Sequence, residues 1–256
     1  MTTHLLSFLT GVMPQSALHP FRWRALLWKT HDFTINDLED RFHEICAGID
    51  LPCIVRLERE TLENRRRSAV SAAKYADYGF WLRRNIVRAV ALGLHRLPPL
   101  KILDLGCGPA YFLAVCRSFG HHITGMDLPL EELPPLDSRV YTGMASALHS
   151  TEAILRFAIR PFTPLAVDGT FDLITAYQVC FNKLGPRKMW SAREWAFFLN
   201  DAVRHLRPGG RLILDLNDHR ENFGSLLWYD EPTLALFRSL GKVDRREVVI
   251  AGSGSH

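Results

Sequence analysis

The stretch KILDLGCGPAYFLAV, residues 101–115, joins one apolar run to another through a turn built on Gly106, Gly108 and Ala110. The first run reads as a β-strand ending near Asp104-Leu105. The second, AYFLAVCRSFG, reads as a helix closed by Gly120. Glycines in such a turn permit positive φ and let a ligand approach the backbone closely, while the helix start offers free N–H donors. In open α/β sheets, ligands bind beyond the carboxyl ends of the strands, at the switch point. The junction therefore predicts a βαβ layout with a nucleotide-like cofactor at this turn.

The downstream chain fits that layout. HITGMD reads as a second strand, RVYTG as a short third, FDLITAYQV as a fourth, RLILDLN as a fifth and KVDRREVVI as a last one. TEAILRFAI, SAREWAFFLNDAVRHLRPGG and EPTLALFRSLG read as helices. The second of these carries a Ser191–Glu194 capping box and a Pro208-Gly209-Gly210 stop. Alternating strands and helices imply an α/β fold with a doubly wound, mostly parallel sheet. Residues 1–97 show no strand alternation and are expected as a helical N-terminal extension, with 98–250 as the cofactor-binding domain. The clearest helix there runs through SAVSAAKYADYGFWLRRNIVRAVALGLHRL, with Trp81, Leu82, Ile86, Val90, Leu94 and Leu97 at helical spacing. Residues 251–256, which include GSGSH, read as linker or tag. The first 31 residues contain no Asp or Glu but hold Arg22, Arg24, Lys29 and several aromatics; a packed or partner-facing helix is expected there.

Asp127 ends the second strand about twenty residues beyond the turn, where an acidic side chain accepts both hydroxyls of a ribose; a helix cap is its ordinary alternative. The dinucleotide fingerprint needs Gly or Ala at position 111, and this chain has Tyr111, whose bulk would obstruct a pyrophosphate. With Asp104 ahead of the turn, LDLGCGP resembles motif I, D/E-x-G-x-G-x-G, of the class I S-adenosylmethionine-dependent methyltransferases. GMDLP resembles the acidic second motif of that family. FDLITAYQVCFNKL resembles its fourth strand and following loop, and HLRPGGRLILDLN its fifth strand with the turn before it.

The resemblance implies a sheet of the seven-stranded type and S-adenosylmethionine as cofactor. It implies that Asp104, Gly106, Gly108 and Ala110 line the methionine part, with Asp104 near the ammonium group. Asp127 would hold the ribose, and Leu128, Met144 and Ala145 would meet the adenine. Tyr177 and Gln178 would face the amino-acid part and the methyl group, although Tyr177 also reads as core packing. KYADYGFWLRR resembles the helix that closes over the cofactor, which brings Tyr75 to it. The departures are Ala110 in place of a third glycine, no final antiparallel strand after Ile250, no polar residue after strand three in GMASAL, and a long link from Ser146 to Gly169 expected as a lid or substrate wall.

Methyl transfer from a sulfonium is an in-line displacement from an activated donor, so alignment and water exclusion carry most of it. Only a hydroxyl or ammonium acceptor needs a base. His149, His219, Asp215 and Asp218 are the candidates, with His219 in DLNDHREN as the first choice; a solvated loop histidine is its alternative. No Asn- or Asp-Pro-Pro-Tyr follows the fourth strand, which argues against exocyclic amino acceptors. Cys180 lacks the proline that accompanies a nucleophilic cysteine in the cytosine-C5 enzymes. Asn182, Lys183, Arg187, Lys188, Trp190 and Trp195 could grip a polar or anionic acceptor, or the tryptophans could pack the next helix. The expectation is O-methylation of a small molecule or sugar (glycan) hydroxyl. The alternatives are RNA methylation, using Arg65, Arg66, Arg67, Arg83, Arg84 and Arg88, and a catalytically silent scaffold.

A net charge of +4 tolerates RNA without demanding it. Five cysteines with no CxxC pair argue against a disulfide framework or a metal site and fit a cytoplasmic protein. No apolar stretch is long enough for a membrane span. The oligomeric state is left open by the sequence.

Overall fold

The computed structural model describes residues 32–65, 75–178, 181–183, 188–216, 229–244 and 247–252. Strand β1 (Lys101–Leu105) lies at the centre of a seven-stranded sheet and is buried along nearly its whole length. It pairs in parallel with β2 (His122–Asp127) on one side and β4 (Phe171–Tyr177) on the other. Strand β3 (Ile154–Arg156) extends the sheet beyond β2, and β5 (Leu206–Asp215) extends it beyond β4. The order is β3-β2-β1-β4-β5, followed by β7 (Glu247–Ala251) and β6 (Lys242–Asp244). The chain winds outward from β1 to β3 and then restarts at β4. The switch point is therefore the gap between the carboxyl ends of β1 and β4.

Period-two alternation sends successive strand residues into two cores. Ile102, Leu173 and Ile213 face one side, and Leu103, Leu105, Ile174, Leu212 and Leu214 face the other. The first side is covered by α1 (Ile35–Ala47), α2 (Leu51–Arg65), α3 (Tyr78–Ala91), α4 (Tyr111–Ser118) and α5 (Pro135–Ala147). The second is covered by α6 (Ala192–Arg204) and α7 (Glu231–Leu240). Local signals start several of these helices: Thr34 and Asp37 form a capping box before α1, and Ser191 and Glu194 form the expected one before α6. Asp77 caps α3, its Oδ1 accepting the Phe80 N–H at 2.8 Å, so this helix starts at Tyr78. Residues 66–74 of the longer expected helix, and residues 1–31, lie outside the described residues.

Three expectations are corrected. RVYTG is not the third strand; it lies within α5, where Val140, Met144 and Ala147 recur at helical spacing on the buried face. Its β-branched and aromatic residues suggested a strand, but burial of that stripe against the core decides for helix. The third strand is Ile154–Arg156, inside the segment read as a helix, and it pairs Gly125 with Ile154 and Asp127 with Arg156. The missing antiparallel strand is present: KVDRREVVI supplies both β6 and β7, and β7 runs antiparallel to β5 from Arg211↔Ala251 to Asp215↔Glu247.

Two further readings shift. The link from Ser146 to Gly169 contains the end of α5, a short 3-10 turn and β3. The rest of that link packs onto the sheet through the buried Ile159 and Leu165. Pro208-Gly209-Gly210 lies in the first half of β5, with Gly209 at φ 76°, while α6 has already ended at Arg204. Among the described residues no helix is long and apolar enough to cross a membrane.

The side chain of Leu82 on α3 is fully buried in the same core as Ile102 of β1. Leu82→Ala should lower stability by about 2–5 kcal/mol, in one cooperative urea transition followed by circular dichroism. Two resolved transitions would show instead that the N-terminal helices fold apart from the sheet.

Candidate functional site

The turn after β1 holds three residues in the left-handed region, Gly106 at φ 71°, Gly108 at φ 56° and Ala110 at φ 70°. It is stitched to the end of β2, because the N–H groups of Gly106 and Cys107 both donate to the Met126 carbonyl, at 2.7 and 3.1 Å. Cys107 then tucks its thiol against Gly125 of β2, where a Cβ would lie 2.5 Å from the sulfur. A Cβ at Gly108 would meet nothing within 4 Å, so this part of the backbone is open to a close approach. Helix α4 starts directly after it, at Tyr111.

Asp127 stands beside the turn at the carboxyl end of β2. Its Oδ1 accepts the Leu128 N–H at 2.7 Å, while its buried Oδ2 has no hydrogen-bond partner among the described residues. Burial pushes the carboxyl above its ordinary value, against the opposing pull of the Leu128 and Gly108 amides and of Arg156. An acceptor oxygen of this kind is suited to a ligand hydroxyl, and a ribose diol offers two. Leu128 is half-buried, and its carbonyl accepts from Arg156 Nη1 at 3.4 Å.

At the switch point, Asp104, Thr175 and Tyr177 share the sheet face under α3, as the strand alternation requires. Asp104 is 2% exposed, and its Oδ1 accepts from Arg88 Nη2 at 2.9 Å and from Thr175 Oγ1 at 2.6 Å. The Arg88 guanidinium lies between aromatic faces, 3.7 Å from the Phe112 centroid and 4.4 Å from that of Tyr177. Arg84, one helical turn earlier, donates to Gln178 Oε1 at 2.9 Å and stacks on Trp81 at 4.9 Å. Gln178 is itself left-handed, at φ 51°, and its N–H donates to the Asp215 carbonyl. Tyr75 packs on Trp81 and edge-on to Tyr141, and its carbonyl accepts the Tyr111 hydroxyl at 2.7 Å.

The structure thus gathers Asp104, Gly106, Gly108, Ala110, Asp127, Leu128, Tyr177 and Gln178 at one edge, with Tyr75 tied to the start of α4. Met144 and Ala145 do not follow a strand. They sit on α5 with buried side chains, and the Met144 sulfur receives the Tyr111 hydroxyl at 3.6 Å. The residues that do follow β3 are Phe157 and Ala158, and the Phe157 N–H donates to the Asp127 carbonyl at 2.8 Å. His149 lies at the opposite edge: its neighbours Leu148 and Ser150 bind Arg117 at the far end of α4. Trp190 and Trp195 are buried in an aromatic cluster, and Asn182 donates to the Tyr229 hydroxyl at 3.1 Å, so these three pack rather than line a surface. His219, Asp218, Cys180 and Arg187 lie outside the described residues. Sequence reasoning missed Arg88 and Thr175 as partners of Asp104. The spacing of Arg84 and Arg88 on a helix otherwise facing the core was the available signal.

Residues 78–238 match the family model described as "Methyltransferase domain". A curated relative, malonyl-[acyl-carrier protein] O-methyltransferase of Erwinia billingiae (strain Eb661), is 30% identical over 115 residues. That match covers 44% of this chain and 37% of the relative, so the chain spans little more than a third of that protein's length. Among solved structures, DesVI of Streptomyces venezuelae is 13% identical with a TM-score of 0.49, covering 73% of this chain and 100% of DesVI. CalS10, an amino pentose methyltransferase from Micromonospora echinaspora, is 23% identical with a TM-score of 0.41, covering 62% and 61%.

The raised pKa of Asp127 means that the folded state holds this proton more tightly than the unfolded chain does. Its stabilising contribution is complete below the unfolded value, about 3.9, and is lost as pH rises through the higher folded one. Above the folded value the ionised carboxylate therefore destabilises the fold. Asp127→Asn should unfold at a urea midpoint at or above that of the wild type at pH 7, with the advantage vanishing at acid pH. A clearly lower midpoint at pH 7 would contradict this placement.

Proposed function

The chain belongs to the methyltransferase family, whose cofactor is S-adenosylmethionine, and from that premise we propose that it methylates a hydroxyl of a small molecule or sugar. The observation that carries the cofactor half is the pairing of an open Gly108 backbone with the unpartnered, buried Oδ2 of Asp127. These features fit a ribose-bearing ligand whose adjoining part lies against the turn. In this reading Asp127 holds the ribose, Leu128 flanks the adenine, and Phe157 replaces Met144 as its neighbour at the end of β3. Gly106, Gly108 and Ala110 cradle the methionine part.

S-adenosylmethionine supplies a methyl group already activated on a sulfonium. The chain contributes alignment and water exclusion. Asp104 fixes Arg88 and Thr175 through Oδ1, and its other oxygen is our candidate for the ammonium group of the cofactor. Tyr177 and Gln178 face the transfer end, and the Tyr75–Trp81 pair forms an aromatic wall suited to a cation. His219 remains our candidate for the base that takes the hydroxyl proton.

Two points support an oxygen acceptor. The exit from β4 reads Tyr177-Gln178-Val179, without the paired prolines of amino-methylating enzymes. An O-methyltransferase is also what the name of the curated relative states. RNA is less favoured because Arg83 pairs with Glu39, Arg84 binds Gln178 and Arg88 pairs with Asp104, which turns these cations inward. Arg66 and Arg67, and the side chain of Arg65, lie outside the described residues.

Asp127→Asn should weaken S-adenosylmethionine binding roughly 10- to 100-fold in calorimetry, the loss expected for a hydrogen bond to a charged group. With methyl-labelled cofactor and a panel of phenols, sugars and RNA, label should enter a hydroxyl compound. Label entering RNA instead, or a well-folded protein that binds no cofactor, would overturn the reading.

A further inference from the structure

A concavity lies at the other end of the strands. It is lined by Pro99, Lys101 and His122 at the amino edge of β1 and β2 and by Arg117, Ala153 and Arg207, around a volume of about 510 Å³. That volume falls within the range of about 300–1,000 Å³ typical of small-molecule sites. Its lining contains lysine, arginine and histidine side chains and no Asp or Glu.

The charges are not equivalent. Arg207 is neutralised by Asp172, with its Nη1 at 2.9 and 3.0 Å from the two carboxylate oxygens. His121 is structural: it accepts the Leu100 N–H at Nδ1, so its Nε2 donates to the Leu94 carbonyl at 2.9 Å, which fixes a neutral ring. Arg117 is different. Its Nη2 donates to the Leu148 carbonyl and the Ser150 hydroxyl, and among the described residues it has no carboxylate partner. Partial burial pushes its pKa down by desolvating the cation. Lys101 likewise has no carboxylate partner among the described residues and lies 4.8 Å from the Phe171 ring centroid. Lys101 and Arg117, neither with a carboxylate partner among the described residues, line this concavity with the exposed His122, and two such cations match the charge of a phosphate monoester.

We propose that this pocket binds the phosphate group of a phosphorylated small molecule, at a site separate from the methyl-transfer edge. The two ends of β1 lie roughly 13–16 Å apart, at about 3.3 Å per residue, so one ligand headgroup does not bridge them.

The test is calorimetric titration of the whole chain at low salt with inorganic phosphate, with uridine 5′-monophosphate and with a short single-stranded RNA. Lys101→Gln and His122→Glu serve as variants, each checked for folding by circular dichroism. His122 is exposed, so its variant reports on the pocket even if Lys101→Gln fails to fold. Binding of phosphate alone would identify the free ion as ligand, and tighter binding of the nucleotide would identify a phosphate ester. Either result supports the proposal if the folded variants weaken it about tenfold or more, as loss of a charge-assisted contact requires. Absence of binding by both phosphate probes at 10 mM (~ten times a weak metabolite Kd of about 1 mM), affinity unchanged in the variants, or binding of RNA alone would overturn it.

Discussion

One buried ion pair ties the functional edge to the helices that cover it. Asp104, next to the last residue of β1, lies almost out of contact with solvent, and Arg88 comes down from α3 to meet it. Removing one partner of such a pair leaves an uncompensated buried charge, at a loss of about 3–5 kcal/mol. Thr175 joins the same carboxylate from β4, and the rings of Phe112 and Tyr177 enclose the guanidinium. Helix α3, the start of α4 and the carboxyl ends of β1 and β4 are thereby held in one register. The turn, Tyr177 and Gln178 inherit their positions from that register.

Around this anchor the edge carries features that folding alone would not select. Ala110 is held left-handed and Gln178 likewise, each an uncommon conformation for a residue with a Cβ. Asp127 keeps an oxygen buried and unpartnered, with its charged form disfavoured. Strain and unmet polar atoms collect where function requires a shape or a charge that packing does not reward. Left-handed residues and unmet polar atoms also occur away from the edge, at His149 and Phe162 and at His95, Trp190 and Thr233, so what distinguishes the edge is the pairing of the Asp127 oxygen with the open Gly108 backbone.

Much of this was legible in the residues. The turn at 106–110, Asp127 at the end of β2 and the capping box before α6 all rest on local chemistry, and each lies where the pattern placed it. What failed depended on contacts distant in sequence. Strand β3 has three residues, too few to show a period, and only its pairing with β2 makes it a strand. RVYTG has the composition of a strand but supplies the buried stripe of α5. The arginines of α3 read as part of a cluster available to RNA, whereas Arg83, Arg84 and Arg88 find partners on α1, just beyond β4 and on β1. The acceptor side is the least legible. An activated methyl donor demands alignment rather than a fixed set of catalytic residues, and His219 lies outside the described residues.

The central claim is that S-adenosylmethionine binds at the carboxyl edge between β1 and β2. Backbone amide shifts recorded by nuclear magnetic resonance during a titration with the cofactor test it residue by residue. The largest changes should fall on Gly106, Gly108, Ala110 and Leu128, with smaller ones at Gln178 and none at His122 on the amino edge. Saturable binding that shifts the amino edge while leaving Gly108 and Leu128 unmoved would contradict the account.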